Sequence, residues 1–458
     1  LVEVGGLTTV AGLRQFNAGT ANDAVHVVAT ESVPASLVLG GLFGQQTLLS
    51  AQATARAEPS HATFSAGSYL LRINTTSQDA SLLNGLLGGL LGSSLSLDAL
   101  SYQGLASTDV NLAQLVRASG TVGSVEELLA TNMSVADVIG LTATAVGQQA
   151  GVDARVTAGL QQLLAASVNQ ASVRLGDVLD VSVPASDAAG KVGINVLDLV
   201  TTTIMVANKQ HAVSLPLSVN LGSLININAL VNVIEPPRIA VGPPGQNAAG
   251  QWCAQARTAQ LDVRATVQAN VLGVASIDLG LSTQLAQGEA HLESLDVVSG
   301  ATRAVIAATP GIAAINLTNS AGSGPATVKV LGITAATVGL NLPIQPPHPS
   351  DLVYNVASPV EDHLPQSQST ASSVGGSLAA ALSNPNAINV QVLPGLGLLT
   401  SLVNSLLSPL LNQVLAPLLG FIGSALLDPL LKLLGIQLGG LGVTLEDLMY
   451  TGGAQLVI

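Results

Sequence analysis

Charge is scarce in this 458-residue chain, where Asp, Glu, Lys and Arg make up only 9% of residues, against about 25% in an average soluble protein. Aromatic residues are scarcer still, at 2%, with a single tryptophan, Trp252. One cysteine, Cys253, excludes an internal disulfide framework. It reads as a small buried apolar residue, with an intermolecular disulfide as the alternative. The only lysines, Lys191, Lys209, Lys329 and Lys432, lie far apart, and the formal net charge is −13. Nucleic acid needs clustered cations to displace its counterions, so it is not a partner. Anionic lipid head groups are disfavoured for the same reason. Signatures of catalysis are missing too: no Gly-rich phosphate loop, nucleophile elbow, paired-histidine helix or Cys-based zinc pattern occurs.

What the chain has instead is Ala, Val, Leu and Ile for burial, with Ser, Thr, Asn, Gln and Gly left to face water. Hydrophobic residues reach 48%, so the chain folds rather than remaining disordered. Such a palette suits an exported structural protein kept soluble by hydroxyls and amides. The chain begins at Leu1 rather than Met, and this reading places a removed or omitted segment upstream.

Two proline-rich stretches divide the sequence, Glu235 to Gly245 and Leu342 to Gly375. Proline fixes its own φ and pushes the preceding residue out of the helical region, so both are expected as connectors or long loops. The expected organisation is α+β and multi-domain, with short helices and mainly antiparallel sheets. Residues 1–234 form a mixed α+β domain and 235–250 a Pro-rich connector. Residues 251–341 form a β-rich domain and 342–375 a Pro/Ser-rich linker. Residues 376–458 supply Leu-rich helices with terminal strands, packing back on the first domain.

Within the first block, Asp23 to Thr30 and Thr47 to Glu58 read as strands. Leu82 to Gly92 reads as a helix with a leucine face and a glycine face that permits close backbone approach. A short pattern recurs seven times: apolar, cap, apolar, any, polar or small, apolar. It begins at Leu95, Val110, Met133, Val173, Ile194, Ile225 and Val443. This is the spacing of a capping box, so each copy is expected to turn a strand or loop into a short helix. Asp137, Asp177, Asp198 and Asp447 are then caps and not catalytic carboxylates.

In the second block, Gln260 to Val271 alternates polar and apolar without a break, as a strand with one wet face does. Ser276 to Ser282, Glu289 to Glu293 and Ala326 to Leu342 extend the β pattern. The third block opens with a strand, Ile388 to Leu393, and ends with one at Gln455 to Ile458. Between them, Leu396 to Leu427 carries no charge, but Ser401, Ser405, Ser408 and Asn412 form one helical stripe. It reads as a packed amphipathic helix with one wet face rather than a membrane span. Ser408-Pro409 and Asp428-Pro429 are expected N-cap and N1 pairs that break the region into several short helices.

The six histidines are scattered. His26 falls in a predicted strand, His61 and His211 beside turns, His291 on a strand face with Glu289 and Glu293, and His348 and His363 in the second Pro-rich stretch. Glu361-Asp362-His363 is the one dense group of potential metal ligands, and it reads as a solvated acidic turn. Trp252 reads as a core anchor. No catalytic, cofactor-binding or metal-binding residue is assigned, and the chain is not expected to be an enzyme.

Several segments carry a family resemblance. Ala24-Val-His-Val-Val-Ala-Thr30 with Val33-Pro-Ala-Ser-Leu37, Ala62-Thr-Phe-Ser-Ala-Gly-Ser68, Leu82 to Gly92 and Ser101-Tyr-Gln-Gly-Leu105 come first. Asn195-Val-Leu-Asp-Leu199, Val206-Ala-Asn208 and Val233-Ile-Glu-Pro-Pro-Arg-Ile239 come next. Ala256-Arg-Thr-Ala-Gln260 and Leu434-Gly-Ile-Gln-Leu-Gly-Gly440 with Val443 complete the series. In this order they resemble the TadG-like proteins of tight-adherence (Flp) pilus assembly loci.

The resemblance implies a bacterial envelope protein, periplasmic or at the cell surface, tethered by an N-terminal membrane helix that would precede Leu1. Its partners would be other envelope or pilus proteins or copies of itself, as a homo-oligomer acting in surface attachment without a cofactor. The competing expectation is a subunit of a self-assembling extracellular filament or surface layer, joined through the strand edges of the second block or the C-terminal strand. A metal-dependent adhesin or enzyme rests on Glu361 to His363 alone.

Overall fold

A computed structural model describes residues 1–10, 13–19, 24–34, 46–57, 60–66, 75–168, 171–181, 193–209, 212–217, 225–247, 249–271, 275–298, 301–311, 313–340, 348–370, 382–384, 387–394, 401, 405, 411–433, 436–437, 440–449 and 454–456. The chain is α+β and multi-domain, and its sheets are mostly antiparallel. It forms two units, Leu1–Ser60 with Met449–Ile458, and His61–Leu448.

The first unit is a five-stranded antiparallel sheet. Its strands, in spatial order, are Leu13–Ala18, Val2–Val10, Ala24–Pro34, Gln46–Ala57 and Ala454–Leu456. Ala24–Pro34 and Gln46–Ala57 pair over eleven successive residues, from Ala24 opposite Arg56 to Pro34 opposite Gln46. Val2–Val10 joins this ribbon along Ala24 to Val27 and Leu1 pairs with Val28, so among the described residues Ala29 to Pro34 extends past this neighbour.

The second unit layers helices on an eight-stranded sheet. Gln260–Val271 alternates as its sequence demands: Leu261, Val263, Ala265 and Val267 are buried, and the residues between them face outward. It lies between Ile225–Glu235 and Ala275–Leu285. The buried side of this sheet packs with helical leucines such as Leu83, Leu86 and Leu160, and with Leu418, Leu419 and Leu426, in one core. A second core joins a six-stranded and a four-stranded sheet around Phe64, Tyr354, Leu292, Ile306 and Leu445. The Tyr354 hydroxyl donates to the Val443 carbonyl at 2.8 Å, so this large ring is buried without orphaning its polar end.

The domain boundaries expected at the prolines are overturned. Residues 235–250 are not a connector, because Ile239–Gly242 is a fully buried strand paired with both His61–Ala66 and Leu179–Val181. Residues 251–341 are not a separate domain, because Ala212–Leu217, Ile225–Glu235 and Ile388–Val392 belong to the same sheet. Nor is 342–375 a linker where it is described: Ser350–Val356 pairs with Ala301–Thr309, and Gln366–Ser369 with Gly440–Met449. Proline sets local φ but does not prevent the next residues from joining a sheet whose partners lie far away in sequence.

The glycine-faced helix is Ser77–Leu91. Thr76 and Asp79 form a capping box at its start, and Gly92 closes it at φ 86°, a conformation glycine adopts freely. The glycine face meets the strand Ala212–Leu217: a Cβ on Gly89 would lie 2.4 Å from a methyl of Val213, and one on Gly85 3.1 Å from a methyl of Leu215.

Four of the seven recurring patterns build strand-to-helix junctions. The triplets Asp109–Asn111, Asn132–Ser134, Ser172–Arg174 and Gly193–Asn195 each run directly into a helix. They pair in twos, Asp109–Asn111 with Gly193–Asn195 and Asn132–Ser134 with Ser172–Arg174. Asn111 with Gln114 and Ser134 with Asp137 are complete capping boxes, and Asn195 accepts from the N–H groups of Leu197 and Asp198. At Arg174 no side-chain cap forms, and its guanidinium instead lies 3.3 Å from Asp177. In the first copy the cap is Asp98 rather than Ser96. The copies at Ile225 and Val443 lie in strands, Ile225–Glu235 and Gly440–Met449, contrary to the helical expectation.

The leucine-rich region also differs from expectation where it is described. Ser408-Pro409 lies outside the described residues, but 411–433 is one helical run rather than several helices. Asp428 does not cap a new helix, since it is helical itself at φ −59° and ψ −44°. Two widened π-helical segments, Leu411–Leu415 and Gly423–Leu427, hold the residues four before Pro417 and Pro429. The Asp428 N–H reaches back to the Gly423 carbonyl, five residues away. Widening at those turns moves the carbonyls that proline rings would otherwise strike, so the helix continues through both prolines. Residues 412–431 are long and apolar enough to cross a membrane, yet 72% of that stretch is buried in the structure as a core helix is. Ser401, Ser405 and Asn412 are exposed, the wet face of the stripe.

Candidate functional site

Lys209, Glu235, Pro236, Arg238 and Arg257 line a cleft of about 310 Å³. In a chain so poor in charge, this is a concentration of ionic groups. The fold brings them together through backbone pairing: the Arg238 N–H donates to the Arg257 carbonyl at 2.9 Å, and the Arg257 N–H donates back at 3.0 Å. Lys209 lies just beyond the helix Val196–Ala207 and places its ammonium 2.9 Å from the Glu235 carboxylate. Arg257 pairs with Glu289 at 3.3 Å and also donates to Gln255 at 3.1 Å. Asp180, on the strand beside Ile239–Gly242, has its carboxyl pKa pushed up by burial, an effect that Arg238 and Arg257 offset in part.

Three cations, Lys209, Arg238 and Arg257, and two carboxylates, Asp177 and Glu235, line this cleft, and no Ser, Thr or Cys is among the described residues that line it. Its chemistry is that of a polar joint between the helical layer and two sheets. The exposed pairs contribute only about 0–1 kcal/mol each. Val206, Glu235 with Pro236, and Arg257 converge here from separate parts of the sequence.

A second concavity, about 460 Å³, runs along Ser77, Ser81, Asn84 and Gly85 beneath the loop Ser93 to Asp98. Asn84 organises it. Its amide nitrogen donates to the Leu97 carbonyl at 2.7 Å, its oxygen accepts from the Leu97 N–H at 3.0 Å, and the Tyr102 hydroxyl donates to the same oxygen at 3.0 Å. Tyr102 is fully buried, and desolvation drives its phenol pKa far upward, so it remains a neutral donor. The sequence pattern marks Asn84 only by its place among the leucines. Its signal is a polar residue interrupting an apolar stretch, three positions before Leu87 and one after Leu83.

The expected caps and scattered ligands part ways in the fold. Asp137 reciprocates to the Ser134 N–H at 3.1 Å, whereas Asp447 accepts from Gly193 at 2.7 Å and caps no helix. His26 shares a 2.8 Å hydrogen bond between Nδ1 and Thr54 Oγ1 and stacks on Phe16, and His61 is buried in a strand. His211 lies outside the described residues. His348 and His363 are exposed. His291 stacks on Trp252 with ring centroids 3.8 Å apart, and its Nε2 lies 3.7 Å from Glu293. Desolvation lowers the His291 pKa, with Glu293 and Glu289 opposing.

Trp252 is therefore half-buried against a histidine rather than sunk in a core. Cys253 is likewise half-buried, not fully buried, and its thiol pKa is raised by desolvation. Glu361 to His363 lie at a single 3-10 turn, Val360–Asp362. Among the described residues, no three His, Cys, Asp or Glu side chains are grouped to hold a metal ion.

Residues 79–205, just over a quarter of the chain, match a family described as a domain of unknown function (DUF8293). The matched span covers the helical layer from Ser77–Leu91 into Val196–Ala207, with both two-stranded ladders and the Asn84 clamp. No curated protein and no solved structure matches the chain.

Proposed function

We propose that this chain is a non-enzymatic component of a bacterial envelope, similar to TadG-like pilus assembly proteins, that works through protein–protein contacts in surface attachment. One observation carries the reading. Half of the strongly exposed large apolar side chains among the described residues (Leu1, Val2, Val4, Val25, Val27, Leu48 and Leu49) lie in the first unit, which holds under a sixth of the chain. Exposed apolar surface concentrated on one small unit marks a contact surface, because scattered residues would not bring such groups together. The low charge and abundance of Ala, Gly, Ser, Thr and Asn suit close subunit packing outside the cytosol.

Fractionation of cells making the native product tests the compartment. The protein is expected in the envelope or surface fraction, and recovery with the cytosol overturns the reading. The alternative, a subunit of an extracellular filament or surface layer, draws on the ribbon Ala24–Pro34 with Gln46–Ala57, whose Ala29 to Pro34 edge outruns its neighbouring strand among the described residues. Negative-stain images of regular filaments or sheets favour the polymer. Discrete particles across salt and calcium conditions favour the assembly component.

A further inference from the structure

Backbone pairing places Glu289, Arg257 and Arg238 in one row. Arg257 lies opposite Glu289 on one side and opposite Arg238 on the other. Arg238 and Arg257 exchange both backbone hydrogen bonds, at 2.9 and 3.0 Å. Residues opposed in this way lie about 5.5 Å apart at their α-carbons and project from the same face. Two guanidinium groups therefore stand side by side, an arrangement that like charges make unfavourable.

The carboxylates nearby are taken by other cations. Glu289 pairs with Arg257 at 3.3 Å, Glu235 with Lys209 at 2.9 Å and Asp177 with Arg174 at 3.3 Å. Asp180 attracts both arginines from a distance but forms an ion pair with neither, and burial holds it toward its neutral form. Among the described residues, Arg238 has no ion pair and no side-chain hydrogen bond. The chain holds 27 carboxylates to 14 Lys and Arg, so placement rather than shortage leaves this cation without a partner. Arg238 instead lines the cleft of about 310 Å³, wholly within the second unit. Three lining cations against two carboxylates leave a surplus of one positive charge, which one negative charge balances. A dianion such as phosphate would meet Asp177 and Glu235 with no second free cation to offset them. The planar guanidinium matches a carboxylate through two parallel N–H···O bonds. Val206 and Pro236 add an apolar wall, and Gln287 an amide that both donates and accepts.

We infer that this cleft is a binding site for a carboxylate monoanion, held by Arg238 with Arg257 beside it. Ligands of this class are small carboxylic acids and the carboxyl-terminal ends of peptides.

Isothermal titration calorimetry and thermal melts on the full chain, at fixed ionic strength, test it. The probes are acetate, N-acetyl-alanyl-alanine, the amide of that dipeptide and inorganic phosphate. The dipeptide acid is expected to bind and raise the melting temperature, and its amide to bind at least tenfold more weakly. Arg238→Gln is expected to weaken the acid at least tenfold, whereas Arg303→Gln, on the strand Ala301–Thr309 and not in the cleft lining, leaves it unchanged. If Arg238→Gln fails to fold, Arg238→Lys, which keeps the charge but lacks the planar fork, takes its place with at least a threefold loss expected. Acetate binding as tightly as the dipeptide acid supports the site with a free acid as its ligand, and tighter binding of the dipeptide supports it with a chain end. Failure of both acids to bind at tens of millimolar, equal affinity for acid and amide, or an acid indifferent to Arg238 overturns the inference. Tighter binding of phosphate than of either acid overturns the carboxylate assignment.

Discussion

Asn84 treats Leu97 as a neighbouring strand would, donating to its carbonyl at 2.7 Å and accepting from its N–H at 3.0 Å. The clamp ties the loop after the glycine-faced helix to the helix itself, and the Tyr102 hydroxyl completes it at 3.0 Å. Replacing Asn84 with Ala leaves a backbone N–H, a backbone carbonyl and a buried phenol without this partner. Each unmade buried bond costs about 1–3 kcal/mol, so Asn84→Ala, which removes three, is expected to lower unfolding stability by about 3 kcal/mol or more. Tyr102→Phe removes one bond with its donor and is expected to cost about 1 kcal/mol. Denaturant titrations of the two variants give this ordering, and equal losses contradict it.

The glycines of that helix divide by what a methyl would strike. At Gly88 an added Cβ lies 2.6 Å from the Ser93 carbonyl oxygen, a backbone atom that cannot yield cheaply. At Gly85 it meets only a Leu215 methyl at 3.1 Å, the end of a flexible side chain. Alanine also gains about 1 kcal/mol of helix propensity over glycine. Gly85→Ala is therefore expected to be neutral or slightly stabilising, and Gly88→Ala destabilising by about 2 kcal/mol or more. Thermal melts of the pair decide the sign at each position.

Caps at the strand-to-helix junctions differ in what else they hold. Ser134 serves only its own helix, through bonds that are exposed, so Ser134→Ala is expected to cost about 1 kcal/mol. Asn195 is buried, caps two N–H groups and also donates to the Ala106 carbonyl at 2.8 Å. Asn195→Ala should cost about 3 kcal/mol, since a cap and a buried bond are lost together. Chemical denaturation of both variants measures the difference.

The pH dependence has two signed contributions. The His291 pKa is depressed below 6.5, chiefly by burial, so the folded state resists protonation more than the unfolded one. Its contribution is present above pH 6.5 and is lost as pH falls through the depressed value. His291→Phe, which keeps a ring against Trp252, is expected to lose less stability than the parent between about pH 7 and 5. Asp180 acts oppositely: its raised pKa favours the protonated form in the fold. That stabilisation is complete below the ordinary value of 3.8 and disappears as pH rises through the raised one. Asp180→Asn is accordingly expected to melt higher than the parent at about pH 7, with the gap closing toward about pH 3.5.

Much of the local structure was legible because local patterns are dictated by neighbours. The unbroken alternation of Gln260 to Val271 specified its strand, and Asn111 with Gln114 and Ser134 with Asp137 specified their caps. The same six-residue pattern misled at Ile225 and Val443 because its first and third positions also alternate with period two. The residues beyond the pattern decide between helix and strand. After Val135 the apolar positions continue at Val138 and Ile139, a helical spacing, whereas after Ile225 they continue through Ile227, Ala229, Val231 and Val233. The cleft at Arg238 and Arg257 was illegible, since its parts meet only through sheet pairing. Pro236 and Pro237 suggested a boundary where the structure has a short connection from the half-buried strand Ile225–Glu235 to the buried strand Ile239–Gly242.

The six-stranded sheet has a consequence for synthesis. Its strands come from His61–Ala66, Leu179–Val181, Ile239–Gly242, Gln366–Ser369, Ile436–Gln437 and Gly440–Met449, with Gly440–Met449 set beside His61–Ala66. These two neighbours are separated by most of the chain, and closing such a loop precedes any reward from the contacts they make. While the chain is still being made, the early strand waits with its buried face open and its hydrogen bonds unmade. Any nascent-chain intermediate exposes an edge until Gly440–Met449 has appeared. For such a topology, a shield over the unfinished sheet, or passage to another compartment before folding begins, protects the chain during that interval.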